Sequence, residues 1–177
     1  NKAQREALME HLKKYFDITS LLYCINSKAN DTLYDQEIIC YDGKTFIMEE
    51  MEGLNFKINA KSFFQTNTEQ AYELYKITRD FAGLKGKELV YDLYTGTGTI
   101  AQFIAKDCDK VVGVESVPEA IEVANTNAKE NGIKNAFFEV GDMRRVFNQD
   151  FIDRHGKADV VIADPPRNGM HPAVVKQ

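Results

Sequence analysis

The sequence predicts an α/β fold: a parallel, Rossmann-like sheet covered by helices on both faces and preceded by a small α+β region. From residue 89 onward, short and almost continuously apolar segments alternate with helical patterns, which is typical of parallel sheets buried on both faces. A glycine-rich turn, Gly96-Thr97-Gly98, follows the first apolar segment, where backbone can approach a ligand closely. We expect the small region over residues 1–55 and the first half of the sheet domain over residues 56–177.

The first 55 residues contain the patterns of one helix and three strands. Apolar positions recur at helical spacing over residues 3–16. Segments rich in β-branched and aromatic residues predict strands at 18–27, 36–41 and 45–50. The turn signals in this region are Asn30-Asp31 and Asp42-Gly43.

A long helix and then the alternating elements follow residue 53. Thr66 and Glu69 have the spacing of a capping box, and the helix after them is expected to end at Gly83. The four predicted parallel strands are Leu89–Tyr94, Val111–Glu115, Ala136–Val140 and Ala158–Ala163. Three helices are predicted between them. The first is Ile100–Lys106 and the third is a short helix at Asp150–His155. The second starts at another capping box at Ser116, has Pro118 in its first turn and stops near Asn131-Gly132.

Composition and cysteine spacing argue against several classes of protein. The net charge of −5 disfavours a simple basic nucleic-acid binder. Cys24, Cys40 and Cys108 are far apart and form no Cys/His cluster, so no metal site is predicted. Three cysteines fit a reducing cytoplasm better than a disulfide framework. No apolar run approaches the ~18 residues that span a bilayer, so we expect no membrane association.

The glycine turn and the strand ends around it predict a cofactor site. Residues 96–101 satisfy the dinucleotide pattern G-x-G-x-x-A, which alone leaves a nicotinamide cofactor open. Asp92, at the end of the preceding strand, favours S-adenosylmethionine (SAM), because a carboxylate there can hold the amino-acid ammonium but would repel a pyrophosphate. Glu115, at the end of the second strand, can accept hydrogen bonds from both ribose hydroxyls of either cofactor.

The third and fourth strands also end in carboxylates. Asp142 can accept a hydrogen bond from the adenine amino group, with Met143 against the ring, or it can cap the following helix. Asp164 follows the fourth strand. Ligands of open parallel sheets bind beyond the carboxyl ends of the strands, so carboxylates at four successive strand ends favour a SAM site.

The loop after the fourth strand carries a resemblance to a known family. Asp164-Pro165-Pro166 is a rigid segment of the kind that positions a flat substrate beside a methyl sulfonium. Enzymes that methylate exocyclic amines usually follow it with an aromatic residue, whereas this chain has Arg167. Together with the upstream Ser62-Phe63-Phe64-Gln65-Thr66-Asn67, the loop resembles the RNA uracil-C5 methyltransferases, which make 5-methyluridine in ribosomal or transfer RNA.

The resemblance implies a class I SAM-dependent methyltransferase fold and a role for individual residues. The cofactor contacts that it and the strand-end pattern imply are Gln65, Asp92, Tyr94, Gly96, Gly98, Glu115, Asp142 and Asp164. The implied contacts to a uracil flipped out of the RNA stack are Phe63, Gln65, Asp164 and Arg167. The sequence departs from many relatives at Thr99, where they carry Asn.

In this family a cysteine thiolate adds to C6 of uracil, the resulting enolate attacks the SAM methyl group, and a glutamate removes the C5 proton. The cysteine lies in a Ser-Cys-Asn-Pro segment after a fifth strand. We therefore expect both groups beyond Gln177, predict no catalytic residue in this chain, and do not expect the chain alone to methylate RNA. The apolar edge of the fourth strand is expected to cause self-association.

Three other interpretations stay open. A SAM-dependent N-methyltransferase of RNA or protein is disfavoured by Arg167, and a nicotinamide oxidoreductase is disfavoured by Asp92. The third is a SAM-binding module that holds RNA or a protein partner without catalysis. The preferred partner is RNA, and overall resemblance favours ribosomal over transfer RNA.

Overall fold

Residues 1–30, 33, 35–167 and 169–176 are described by a computed structural model. Asp31, half of a predicted turn signal, lies outside them. The chain divides into two compact units, which are Asn1–Met48 with Lys57–Lys61 and Glu49–Phe56 with Ser62–Gln177. No helix in the described ranges is long and apolar enough to cross a membrane.

The first unit contains one helix and a two-stranded antiparallel sheet. Helix α1 (Lys2–Tyr15) begins with a capping box, in which the Asn1 side chain accepts a hydrogen bond from the Gln4 amide at 3.0 Å. Strand β1 (Ser20–Tyr23) pairs with β2 (Ile39–Gly43). The predicted helix and strands are confirmed, although β1 is shorter than residues 18–27 because only its four residues have partners on β2.

A hairpin passes from one unit to the other. It consists of β3 (Phe46–Met51) and β4 (Leu54–Asn59), and β3 was predicted whereas β4 was not. Its two turn residues, Glu52 (φ 50°) and Gly53 (φ 79°), are both left-handed, as a type I′ turn requires. The predicted boundary between residues 55 and 56 falls inside β4.

Distant cations hold the non-glycine turn residue Glu52 in place within the second unit. The Glu52 carboxylate accepts hydrogen bonds from the Arg79 guanidinium at 2.8 and 3.0 Å and from Lys106 Nζ at 2.6 Å. These contacts, with the Tyr72 hydroxyl, hold the pKa of Glu52 well below its usual range. They offset the roughly 1–2 kcal/mol that a left-handed conformation costs a residue with a Cβ atom.

The second unit is built on a four-stranded parallel sheet. Its strands are β5 (Leu89–Leu93), β6 (Lys110–Glu115), β7 (Ala136–Val140) and β8 (Val160–Ala163). They lie in the order β7-β6-β5-β8, so the chain crosses back over the sheet before it forms β8. All four predicted strands and their parallel pairing are confirmed.

The described part of the second unit also contains six α-helices: α2 (Thr68–Ala82), α3 (Thr99–Ile104), α4 (Pro118–Glu130), α5 (Met143–Val146), α6 (Gln149–His155) and α7 (Pro172–Val175). A short 3-10 helix (Ala105–Asp107) follows α3. Both predicted capping boxes are wrong. The cap of α2 is Asn67, whose side chain accepts from the Gln70 amide at 3.0 Å. The cap of α4 is Val117, which makes no side-chain cap bond. The predicted end of α2 at Gly83 (φ 59°) is confirmed, and α5 was not predicted.

The central strands β5 and β6 are buried on both faces, as their apolar sequences predicted. On one face Val90, Val111 and Phe103 belong to one core cluster. On the other face Tyr91 and Val112 belong to a second cluster. Full burial of an aliphatic or aromatic side chain stabilises a fold by about 1.5–3 kcal/mol, so these alternating positions fix which face each residue occupies. The parallel pairing then brings the carboxyl ends of all four strands to one edge of the sheet.

Candidate functional site

The chain turns sharply at the carboxyl end of β5. Tyr94 (φ 65°), Gly96 (φ 56°) and Gly98 (φ 74°) are left-handed, and α3 begins at the next residue. A Cβ atom on Gly98 would lie 2.6 Å from the ring of Phe138, so this glycine is required by packing as well as by its φ. A Cβ atom on Gly96 would meet nothing within 4 Å. The backbone at Gly96 therefore borders open space that a ligand can enter.

Asp92 lies beneath this turn and is fully buried. Its Oδ2 accepts hydrogen bonds from the Thr95 hydroxyl and from the Ala101 amide, the latter at 3.1 Å. Its Oδ1 has no hydrogen-bond partner in the described part of the chain. Burial, with the nearby charges of Asp164 and Glu115, raises the pKa of Asp92 to about 7. Oδ2 thus fixes the turn, and a contact between Oδ1 and a ligand ammonium stays a prediction.

The Glu115 carboxylate at the end of β6 contacts the same turn. Its Oε2 accepts from the Gly96 amide at 3.2 Å. Its Oε1 accepts from the Ser116 amide at 2.6 Å, the Ser116 hydroxyl at 2.9 Å and the Val117 amide at 3.0 Å. Oε1 is therefore saturated, whereas Oε2 has one of its two acceptor sites left for a further donor among the described contacts. A ribose hydroxyl can donate to Oε2, and a second one can bind Oε1 by replacing the rotatable Ser116 hydroxyl.

Asp142 follows β7 and caps α5. Its Oδ1 accepts from the Arg144 amide and from Arg144 Nε, both at 3.0 Å, and the guanidinium also contacts Oδ2. The hydrogen bonds from Arg144 lower the pKa of Asp142 to about 2. The helix-cap alternative for Asp142 is confirmed. A contact with an adenine amino group stays a prediction, and it would share the carboxylate with Arg144.

A cleft of about 480 Å³ opens beside these strand ends, within the usual size range of small-molecule sites. Its lining residues are Tyr94, Ser116, Gly141, Asp142, Met143, Arg144, Pro166, Gly169, Met170, His171 and Pro172. The cleft brings together the predicted residues Tyr94 and Asp142. Gln65, Asp92 and Glu115 are not among its lining residues.

Three polar residues that line the cleft were not predicted as site residues: Ser116, Arg144 and His171. Ser116 was assigned to a helix cap, whereas its hydroxyl donates to Glu115. Arg144 pairs with Asp142, two residues before it, and this contact between near neighbours leaves no periodic signal in the sequence. His171 caps α7, with its Nδ1 accepting from the Ala173 amide at 3.2 Å, and its position before a proline was the available signal.

The predicted uracil-contacting segment lies against the glycine turn. The Thr97 hydroxyl donates to the Phe63 carbonyl oxygen at 3.5 Å. The Phe64 ring packs on Phe56, with centroids 6.0 Å apart, whereas the Phe63 side chain is 68% exposed. Gln65 is half-buried. The segment is thus anchored by Phe64 and by its backbone, and the Phe63 ring is free to contact a ligand.

The loop after β8 is open to solvent. Asp164 and Arg167 are both exposed, and the Asp164 amide donates to the Leu93 carbonyl at 3.3 Å, which keeps the start of the loop beside β5.

Cys108 is buried, and burial raises the pKa of its thiol to about 11. The described residues contain no group of three or more His, Cys, Asp or Glu side chains that could hold a metal ion.

Comparisons with known proteins agree with this architecture. Residues 84–173 match the model of a family described as "Methyltransferase domain". An "uncharacterized RNA methyltransferase" of Porphyromonas gingivalis is 60% identical over 174 residues, which cover 98% of this chain and 37% of that protein. A protein of the same description from Bacteroides thetaiotaomicron is 61% identical over 159 residues, covering 90% of this chain and 35% of that protein. The chain thus spans little more than a third of these relatives.

Two solved structures have a similar fold. One is the Pyrococcus abyssi tRNA (uracil-54, C5)-methyltransferase in complex with S-adenosyl-L-homocysteine, with a TM-score of 0.73 and 35% identity over 93% of this chain and 39% of that chain. The other is Trm5b from Pyrococcus abyssi, with a TM-score of 0.65 and 21% identity over 89% of this chain and 44% of that chain. The second likeness bears on the fold alone.

Proposed function

Because the chain belongs to the methyltransferase domain family, we propose that it forms the SAM-binding part of an RNA methyltransferase that modifies C5 of uracil. The parallel sheet with its β7-β6-β5-β8 order is that of class I SAM-dependent methyltransferases. SAM supplies an activated methyl group on a sulfonium. The residues of this chain bind that donor and hold the acceptor base beside it.

The donor side is supported by three features of the turn after β5. Gly96 borders open space, the buried Oδ1 of Asp92 lacks a partner, and Glu115 reaches the Gly96 amide. Asp92 Oδ1 is the acceptor for an ammonium, because a cation there compensates a buried carboxylate. Glu115 accepts from the ribose hydroxyls, and the adenine ring occupies the cleft of about 480 Å³ that Tyr94 and Met143 line.

The observation that carries the uracil assignment is the hydrogen bond between the Thr97 hydroxyl and the Phe63 carbonyl. It holds the Phe63 backbone beside the cofactor turn, so that the exposed Phe63 ring can stack there on a base that has left the RNA helix. The 35% identity to a solved enzyme named for C5 of a tRNA uracil supports the same assignment. Ribosomal RNA stays our expected substrate, with transfer RNA as the alternative.

The acceptor side needs a thiolate nucleophile, and no described cysteine fits that role. Cys108 is buried with a raised pKa, and Cys24 and Cys40 belong to the first unit. We expect the nucleophile and the base that removes the C5 proton on the part of the relatives' length that this chain does not span. The chain alone is therefore expected to bind SAM without methylating RNA.

Calorimetric titration of the chain with SAM and with NAD tests the donor side. We expect SAM to bind and NAD not to bind, and Glu115→Ala to weaken SAM binding about tenfold or more through loss of charge-assisted hydrogen bonds. The exposed Glu122→Ala on α4 is the matched control. Binding of NAD alone, or equal effects of the two variants, would contradict the site.

The acceptor side is tested in a polypeptide that extends this chain to the length of its relatives. Methylation at C5 releases tritium from uridine labelled at C5, whereas N-methylation releases none. We expect tritium release from ribosomal RNA fragments that depends on SAM. Release from transfer RNA alone would keep the uracil-C5 reaction and exclude our preferred substrate. Methyl incorporation without any tritium release would exclude the uracil-C5 reaction.

A further inference from the structure

The end of α1 exposes two adjacent aromatic side chains. Tyr15 and Phe16 are 60% and 61% exposed. Burial of one such ring would stabilise the fold by about 1.5–3 kcal/mol, so two neighbouring rings left in solvent contribute little to the folding of the first unit. Isolated exposed aromatics are common on protein surfaces, but an adjacent pair beside cations is a recognisable binding surface for bases.

A lysine and a histidine lie beside the first of these rings. Lys14 Nζ lies 5.3 Å from the centroid of the Tyr15 ring, and the His11 ring lies 4.6 Å from it. Lys13 pairs with Asp42 at 3.3 Å. Glu10, one helical turn before Lys14, does not pair with Lys14 and accepts a hydrogen bond from the Tyr41 hydroxyl. Within the described residues, no acidic side chain pairs with Lys14, so its charge is available to an anion.

The same arrangement recurs elsewhere in the first unit. Arg5 lies 4.6 Å from the Tyr23 ring, and Lys44 and Lys57 lie 5.7 and 4.2 Å from the Phe46 ring. Positive side chains interleaved with aromatic rings match the chemistry of a nucleic-acid strand, whose phosphates and bases alternate.

The charge of the chain is divided unequally between its two units. The first unit contains eight lysines and arginines and seven acidic residues, whereas the second contains fourteen and twenty. The net charges are therefore +1 and −6. A polyanion is repelled less by the first unit, and Lys14, which no described acidic side chain pairs with, gives it a contact point.

We propose that His11, Lys13, Lys14, Tyr15 and Phe16, here called the α1 end patch, bind single-stranded RNA. Bases stack on Tyr15 and Phe16, and Lys14 contacts the phosphate between them. This proposal rests on the proposed function only in naming RNA as the partner, since the patch itself contains no residue of the cofactor site. It assigns the grip on the substrate to a surface separate from the methyl-transfer residues.

Fluorescence anisotropy with a labelled single-stranded oligouridylate tests the patch in the full 177-residue chain. We expect Tyr15→Ala and Phe16→Ala each to weaken binding by about 5- to 100-fold, the effect of losing one stacked base. Tyr15→Phe keeps the ring and should bind like the parent chain. Lys14→Gln should reduce the slope of log affinity against log salt by about 0.7, the loss of one phosphate contact on a single strand.

The matched control is Phe81→Ala, which removes an 89% exposed ring from α2 in the second unit. Equal weakening by Phe81→Ala, or unchanged affinity in both Tyr15→Ala and Phe16→Ala, would overturn the proposal. A patch that instead binds a second copy of the chain would appear as dissociation of oligomers by Phe16→Ala with no change in RNA affinity, which also overturns it.

Calorimetry with SAM separates this proposal from the proposed function. Tyr15→Ala should leave SAM affinity unchanged, because the residue lies outside the cofactor site. If the variants lose RNA affinity while the longer polypeptide fails to methylate uracil, the patch stands and the uracil-C5 assignment falls. If the longer polypeptide methylates uracil and binds SAM while the patch variants keep the RNA affinity of the parent chain, only the patch proposal is wrong.

Discussion

The hydroxyl of Thr97 lies 3.5 Å from the carbonyl oxygen of Phe63, so a buried side chain of the glycine turn holds the segment proposed to contact uracil. The other side of Thr97 is also fixed, because its carbonyl accepts from Gln102 Nε2 at 3.4 Å. Gln102 Oε1 in turn accepts from the Asn131 side chain at 3.2 Å. The turn is thereby tied to both the substrate segment and the protein interior.

Thr97→Val removes this tether while keeping the volume of the side chain. We expect a loss of about 1 kcal/mol in the free energy of unfolding and faster hydrogen exchange of the amides at residues 62–66. Thr97→Ser restores the hydroxyl and should restore slow exchange. The control is Thr78→Val, whose hydroxyl bonds only to a carbonyl of its own helix. Faster exchange in that control, or its absence in Thr97→Val, would contradict the tether.

The buried carboxyl of Asp92 should make the stability of the chain depend on pH. Burial raises its pKa from 3.8 to about 7, so the folded state holds the proton more tightly than the unfolded state. The stability it preserves is fully present below pH 3.8 and is lost as pH rises through about 7.

Asp92→Asn, which cannot ionise, isolates this effect because the other titrating groups cancel in the comparison. We expect the free energy of unfolding of the variant, relative to that of the parent chain, to rise by about 2–3 kcal/mol as pH rises from about 5 to about 8. Urea unfolding at a series of pH values measures this difference. A constant difference across that range would mean that Asp92 stays ionised in the fold. SAM affinity should fall in the variant, since its amide cannot pair with the ammonium.

Gly96 and Gly98 have the same kind of backbone conformation but different surroundings, so their alanine variants should behave differently. Gly96→Ala adds a methyl group in open space and should cost only about 1 kcal/mol of stability from its left-handed φ. Gly98→Ala also forces the methyl group against Phe138 and Ala124, at 2.6 and 2.9 Å, and should cost more. We expect SAM affinity, measured on folded protein, to drop most in Gly96→Ala. Equal affinities in both variants would argue that no ligand approaches Gly96.

The buried strands were predictable from the sequence because parallel strands covered on both faces leave a continuous apolar pattern. Ala136–Val140 was predicted to the residue. The carboxylates that follow these strands were located by the same pattern. What each carboxylate contacts was not predictable, since Glu115 is bound by Ser116 and Asp142 by Arg144, through contacts between near neighbours that leave no periodic signal.

The capping boxes failed for a related reason. The spacing of Thr66 and Glu69 fits a cap, but Asn67 caps the helix one residue later, by accepting a hydrogen bond from the Gln70 amide. Strand β4 was missed because its turn places Glu52, a residue with a Cβ atom, in a left-handed conformation. That conformation is stabilised by Arg79 and Lys106 from distant parts of the chain. Local patterns carry no information about such partners.

The exposed edge of β8 leads to the last prediction, which concerns self-association. In the described chain β8 pairs only with β5, and its sequence VVIA carries no charge, with Val161 52% exposed. The opposite edge strand, β7, bears Glu139, which pairs with Arg154 at 2.8 Å, and charges on an edge oppose strand addition.

We therefore expect the chain to form oligomers that light scattering detects, and Val161→Lys to shift it toward the monomer, because a lysine on an edge strand opposes pairing with another chain. Val140→Lys, at a 47% exposed position on β7, is the comparison and should change little. If Val140→Lys but not Val161→Lys converts the oligomers to monomers, the association is through the edge of β7. A monomeric parent chain with a cooperative melt would show that the β8 edge does not drive association at all.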